Sequence, residues 1–435
     1  MAAELQPATE RPFDRLDLLS AMLSLYYFTL YASGLASKLP LSAELLGPSQ
    51  LVCMSLAVLG VISRHRFEIT VLSAVIFVAT FLLNSPVASN NQTMGCAISI
   101  LFLASRIIPG GREERFEATA RPGRYILATM YFFGIFHKLN VDWMDPLVGC
   151  GVVLYGILST PFGLQDWWLG QQGAIWGTLI VEAIAMICLF IPHYKRLALI
   201  FGIPFHLAIG LTGYAFYMDF STIVLATYTL FIGRETVQRF SDWLPRSPSL
   251  GLLLGCAIAA FAILGGVNGL VPVSMTDNYY RPFFLIYGIG FFMGAVILSK
   301  PEPFFWRPQP LLLRLAWVIP ILYFLNGWAP YVGLRTEGTL SMYSNLHTEG
   351  GQSNHYLFER PLPLFDYQDE VVELEDGVNL IRWEYDRARL IYPNLWQRAG
   401  RAADEPNTYV AAGPLERAYL VFKTVDFDRP KVCTH

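Results

Sequence analysis

Lys138, in "YFFGIFHKLNVDW" (Tyr131 to Trp143), closes an apolar run that offers a primary amine little water to hold its charge. Desolvation disfavours the ammonium form, so an amine turned into such surroundings drops from its usual pKa of about 10.4 toward neutrality and becomes a general base. The same lysine with its stem along lipid and its head among phosphates would be an anchor only. His137 precedes it, and on a helix about 100° separates neighbouring side chains, so His137 is expected at the wet interface rather than in a shared pocket. His206, in "FGIPFHLAIGLTG", and Glu182, in "LIVEAIAMICLF", are further titratable groups inside apolar runs. A group at such depth must be paired, neutralised or used. Glu182 is expected in a structural hydrogen bond or a proton relay, and His206 as a core or ligand-facing imidazole.

Two polar stretches accompany these groups. "NSPVASNNQ", Asn84 to Gln92, ends in three amides, Asn90, Asn91 and Gln92, which donate and accept hydrogen bonds without titrating. "TEGTLSMYSNLHTEGGQSNHY", Thr336 to Tyr356, gathers Glu337, Asn345, His347, Glu349, Asn354 and His355. Their spacing gives no recurrent three-ligand arrangement, so this stretch reads as a polar cap rather than a metal site. Six scattered cysteines include no CxxC pair, which argues against a zinc or thioredoxin-type motif. Without a Walker loop, an HExxH or a nucleophile elbow, nucleotide hydrolysis, zinc proteolysis and serine hydrolysis lose their main support.

The elements that must position these residues follow from composition. Of 435 residues 54% are hydrophobic and 15% charged, with a mean hydropathy of +0.41, which points to a bilayer. A net charge of −3 gives no basic footprint for nucleic acid. Crossing about 30 Å of hydrocarbon takes roughly 20 apolar residues. Candidate spans lie near Leu16 to Ser37, Pro48 to Ser63, Phe67 to Leu83, Thr93 to Ile108, Tyr125 to Lys138, Ala174 to Ile191, Leu197 to Tyr214, Phe220 to Gly233, Leu250 to Val271, Pro282 to Ser299 and Leu311 to Pro330. "LVGCGVVLYGILSTPFG", Leu147 to Gly163, is apolar but glycine-rich and reads as a re-entrant or interfacial segment.

Arginine and lysine collect on alternate connections, at Arg11 and Arg15, Arg64 and Arg66, Arg106 to Arg124, Lys195 and Arg196, Arg234 to Arg246, and Lys300 and Arg307. Positive charge is retained inside. The expectation is therefore an all-α polytopic bundle of about eleven transmembrane helices over residues 1–330, in the cell membrane, with a cytoplasmic N-terminus. Residues 331–435 then form a small extracytoplasmic domain containing β-structure, in which Asp369 to Tyr385 alternates about an Asp376-Gly377 turn like a hairpin. Cys150 and Cys433 both fall outside and can pair in an oxidising compartment.

"YFFGIFHKLNVDWMDP", with "NNQ" upstream and "PFHLAIGL" downstream, resembles the HTTM family, known for the membrane region of vitamin K-dependent gamma-glutamyl carboxylase. The likeness covers about Arg15 to Gly233 and resumes at "LRTEGTLSMYSNL". It implies that Lys138 is the base, that His206 occupies a pocket position, and that Asn90, Asn91, Gln92, Tyr131, Asn140 and Glu337 contact substrate. It also implies a reduced, vitamin K-like quinone as cofactor. The carboxylase's amide loop ends in histidine where this chain has Gln92, and its lumenal region is far larger. Protein carboxylation is thus not the leading expectation. That place goes to a membrane enzyme acting on an isoprenoid, quinol or related lipid. The alternatives are an isoprenoid-modifying or cyclising enzyme, whose aromatic faces would stabilise cationic carbon, and a non-catalytic immunity or signalling protein.

Overall fold

The computed structural model describes residues 12–32, 43–84, 89–212, 215–243, 273–299 and 314–334, the short segments 339–341, 343–348, 353–362 and 364, and five strands between 372 and 423. Leu250 to Val271, Glu337, Gly377 and Cys433 lie outside the described residues.

The chain is mostly helical. In order run α1 (Arg15–Ala32), α2 (Ala43–Ile62), α3 (Arg66–Asn84), α4 (Asn90–Arg106), α5 (Arg112–His137), α6 (Val141–Met144), α7 (Cys150–Ser159), α8 (Trp168–Cys188), α9 (Lys195–Leu211), α10 (Ala215–Tyr228), α11 (Arg234–Trp243), α12 (Val273–Ile297) and α13 (Val318–Gly327). Apart from Leu250 to Val271, each candidate span falls on a helix. Arg66–Leu83 and Trp168–Cys188 are long and apolar enough to cross a membrane, whereas the apolar stretches Val52–Ile62, Met218–Phe231, Phe283–Ile297 and Val318–Gly327 are shorter. Acidic residues in the first turns of α1 (Asp17), α3 (Glu68) and α5 (Glu113 and Glu114) complement the helix dipoles.

The helices and strands form two compact units, one of Met1–Ala128 with Ile184–Ile321, the other of Thr129–Ala183 with Leu322–His435. In the first, α1 packs closely on α2 because Gly60 leaves room for Ser24. A Cβ there would sit 2.1 Å from Ser24 Oγ, which shares a 2.8 Å hydrogen bond with Thr70 Oγ1. Tyr26, Tyr27, Phe77 and Phe102 fill the core. The polar start of α5 belongs to the helix because its charges are matched. Arg112 bonds Asp14 and Asp17, Arg15 pairs with Glu113 and Glu117, and Arg121 and Arg124 also reach Glu117.

In the second unit, Phe132, Phe133 and Phe136 of α5 pack against Phe324 of α13, Trp328, Tyr331 and Phe358. Its strands β1 (Val372–Asp376), β2 (Leu390–Ile391), β3 (Ala399–Arg401), β4 (Thr408–Ala411) and β5 (Tyr419–Lys423) form an antiparallel sheet in the order β2-β1-β5-β4-β3. The expected tight hairpin is corrected here. β1 pairs Val372 with Ile391 and Glu373 with Leu390, too far along the chain for a two-residue turn at Asp376-Gly377, and Asp376 itself opposes Val421 beside a register shift. A long-range ladder outweighs the local turn signal at this point.

Candidate functional site

The last turn of α5 tightens before it ends. Lys138 N and Leu139 N donate to Ile135 O and Phe136 O, three residues back. Asn140 follows in extended conformation and caps α6, its Oδ1 accepting from Trp143 N at 2.8 Å. Lys138 therefore leaves the helix just where its axis stops. Its Nζ donates to both carboxylate oxygens of Glu182 on α8, at 2.6 and 2.8 Å, and lies 5.3 Å from the centre of the Trp143 ring. The two side chains are only 6% and 8% exposed. An anchor keeps its head in water, so this lysine is not a snorkelling one. Gly134, one turn earlier, faces the same carboxyl: a Cβ there would lie in ordinary contact with Glu182 at 3.4 Å. Taking two charges out of water costs several kcal/mol per ion (about, by continuum reckoning), which only such two-point geometry offsets.

His137 corrects an expectation. It is fully buried rather than wet, with Nε2 3.1 Å from Gly327 O and its ring against Phe133 and Tyr331. Residues after α13 fold back over this helix end, which a local reading of the span could not anticipate. As rotation about the helix requires, the two neighbours face different surroundings, and both are interior.

The Thr336 to Tyr356 stretch supplies the clasp. Asn140 Nδ2 donates to His137 O and Ser344 O, at 2.7 and 2.5 Å. Asn345 Oδ1 accepts from Cys150 N at 2.8 Å and its Nδ2 donates to Val148 O at 2.9 Å. Asn354 Nδ2 donates to Asp142 Oδ2 at 2.9 Å and Asn345 O at 2.7 Å. Tyr356 N bonds Leu139 O, and His355 Nε2 lies 2.8 Å from Phe136 O. Burial holds the His355 imidazole below its usual pKa. Tyr343 and Asn345, on either side of Ser344, are non-glycine residues with φ of 56° and 55°, a strained geometry that the surrounding bonds must enforce. Beneath the clasp, Trp143, Cys150, Val152 and Ile175 form an apolar cluster against which Tyr343 packs. Cys150 is disulfide-bonded; its partner lies outside the described residues, and Cys53, Cys96 and Cys188 are free.

Lys138, Tyr131 and Asn140 thus belong to one unit, with Tyr131 fully buried on α5 and the hydrogen bonds of Asn140 spent on the chain itself. His206 and the three amides belong to the other. His206, on α9, is buried edge-on to Phe205 and Phe220, and its carbonyl accepts from Ser221 Oγ at 2.6 Å. Asn91 and Gln92 are buried at the start of α4; Asn91 O accepts from Tyr26 OH at 3.0 Å, and Ser89 Oγ bonds Asn91 Oδ1. Asn91 Nδ2 and Asn90 Oδ1 find no hydrogen-bond partner among the described residues. No group of three or more His, Cys, Asp or Glu that could hold a metal occurs among the described residues.

Sequence reasoning considered Lys138 and Glu182 separately and missed their pairing. The usable signal was complementarity, since two opposite lone charges inside apolar runs are each other's cheapest partner. Set against protein-family models, curated proteins and solved structures, the chain matches none.

Proposed function

We propose that this chain is a multi-pass membrane enzyme of about eleven spans that acts on an isoprenoid, quinol or related lipid and uses Lys138 as its general base. The observation that supports this most is the Lys138–Glu182 pair, a strong acid–base couple held out of water on apolar helices. Structural ion pairs in membranes also exist, but they do not need a clasp of amides and strained backbone fixing the lysine's helix end. The amine in the ion pair carries a proton; transfer of that proton from Nζ to a Glu182 oxygen leaves a free lone pair on nitrogen and a neutral carboxyl. Nζ can then accept a proton from an acidic hydroxyl or carbon of a bound lipid, and the new ammonium stays beside a group that can regain its charge. Trp143 and its apolar neighbours exclude water from this exchange. A reduced quinone would supply an acidic hydroxyl; the residues here fit that demand as a base and its proton store, and no further step is assigned to it. The arginine clusters support a cytoplasmic N-terminus, and the oxidised Cys150 supports an extracytoplasmic location for the clasp.

The test is Lys138→Arg in the full chain. Arginine can pair with Glu182 in the same two-point manner and so preserve folding, but it stays protonated. Native mass spectrometry of the purified protein identifies a bound quinone or prenyl lipid, and turnover of that lipid is then compared. A fall of about 10² or more with lipid still bound is expected for a lost general base. Undiminished turnover, or undiminished cellular phenotype, in a folded Lys138→Arg protein refutes the reading.

A further inference from the structure

The connection between α7 and α8 carries an unusual surface. α7 is ten residues long, about 15 Å by helical rise, against about 30 Å of hydrocarbon, so it cannot span. After it come a 3₁₀ turn, Thr160–Phe162, and Gly163 at φ 68°, where the chain reverses into α8. A Cβ at Gly151 would lie 3.2 Å from Ala174 O, and one at Gly170 would strike the Tyr155 hydroxyl, so α7 runs antiparallel along the first turns of α8. At the tip Phe162 is 77% exposed, and Leu164, Trp167, Trp168 and Leu169 are exposed with it.

Four features say what covers this tip. From Leu147 to Trp168 the only charged residue is Asp166. The tip's irregular backbone is closed internally: Leu164 N donates to Ser159 O, Gly163 N to Thr160 O, Trp167 N to Leu164 O, and Tyr155 OH to Leu164 O at 2.7 Å. Such closure is what backbone entering a water-poor layer requires. The exposed side chains of α8, Leu169, Trp176, Ile180 and Ile187, recur at spacings that form one stripe, which runs from the tip down a helix long and apolar enough to cross a membrane. Finally, paired tryptophans at the head of an apolar helix are the composition of a membrane–water boundary.

We infer that the α7–α8 tip is a membrane-interface anchor, with Phe162, Leu164, Trp167 and Trp168 seated among the headgroups and upper acyl chains of the outer leaflet. The inference rests on the spanning reading of α8 and deepens it, because it adds a lateral contact with lipid to a helix that carries Glu182. An aqueous protein partner at the tip is the competing occupant; the continuity of the stripe with the α8 face favours lipid.

The experiment uses the full chain in phosphatidylcholine–phosphatidylglycerol nanodiscs, with Cys53→Ala, Cys96→Ala, Cys188→Ala and alanine at whichever of Cys256 and Cys433 does not pair with Cys150, so that single nitroxide labels can be placed at Phe162→Cys, Leu164→Cys, Ile180→Cys and Glu114→Cys. Collision with oxygen reports lipid, and collision with a water-soluble nickel chelate reports water. Oxygen-to-nickel ratios above one at 162, 164 and 180 and below one at 114 are expected. Nickel-dominated collisions at 162 and 164 with oxygen dominant at 180 overturn the anchor while the span stands. Nickel dominant at 180 as well overturns the span and the anchor together.

Discussion

The Lys138–Glu182 pair makes a quantitative demand on stability. Removing one partner leaves the other charge buried at less than a tenth exposure with nothing to neutralise it, and such losses run to about 3–5 kcal/mol. At about 1.4 kcal/mol per decade this is a 10²- to 10³-fold or greater drop in the folded-to-unfolded ratio for Lys138→Met or Glu182→Leu alone. The double variant buries no charge, and the apolar chains fill similar volume, so it should lose little relative to the parent. The coupling from the cycle should then reach about 3 kcal/mol or more, the upper range for residues in direct contact. Reversible unfolding in mixed micelles, read by tryptophan fluorescence and helix signal together, gives the four free energies. Losses that add to within about 0.5 kcal/mol would mean the two groups do not sense each other, and the geometry on which the catalytic reading stands would be wrong.

Other outcomes follow from the same structure. Asn345→Ala removes the acceptor for Cys150 N and the donor to Val148 O, each loss worth about 1–3 kcal/mol, and adds left-handed strain that Asn345→Gly would not; thermal unfolding should rank parent, Gly, Ala in falling order. Burial pushes the Glu117 carboxyl up, but the guanidiniums of Arg124, Arg15 and Arg121 outweigh it and hold it below its usual 4.5. The unfolded chain therefore takes up this proton first, so the network's contribution is full above pH 4.5 and is lost as pH falls through the lower folded value; Glu117→Gln should flatten that acid limb in unfolding measured against pH. Reduction should change the gel mobility of the parent and of Cys53→Ser, while Cys150→Ser should show no reducible shift. Impermeant maleimides should reach a cysteine at Ser85 from outside intact cells and not those at Glu113 or Ser247; the reverse pattern would invert the topology.

The legible part of the fold was the part carried by local hydrophobicity. Apolar runs marked most of the helices, though not α6 or the charged α11, because burial in any apolar medium, protein or lipid, selects the same residues. The polar half of α5 escaped that reading: Arg112 to Arg124 look like a loop until Asp14 and Asp17 are known to meet Arg112 and Arg15 of α1 to meet Glu113 and Glu117, and those partners lie outside this helix. The clasp shows the same limit. Asn345 and Asn354 were visible as polar residues in a cap-like stretch, but an amide that holds a backbone group nearly two hundred residues away has no local signature. The Asp376-Gly377 turn failed in the opposite direction, since a strong local signal gave way to sheet pairing with Leu390–Ile391 and Tyr419–Lys423.

Under the proposed function, the pairing also narrows what kind of base Lys138 would be. A lone buried amine would wait neutral for its substrate, with no stored charge to reorganise. Held at two points by Glu182, Lys138 begins instead as half of a dipole whose proton position is adjustable, and its basicity depends on which oxygen or nitrogen holds that proton. Substrate approach must then favour the neutral form of the pair, as displacement of residual water from Trp143 and its neighbours would, because lowering the local polarity penalises two separated charges more than a shared proton. Glu182→Gln keeps a hydrogen bond to the amine and abolishes the proton store. For a Lys138 base of this kind that variant should retain lipid binding and lose turnover nearly as completely as Lys138→Arg, whereas a lysine acting alone would keep most of its rate.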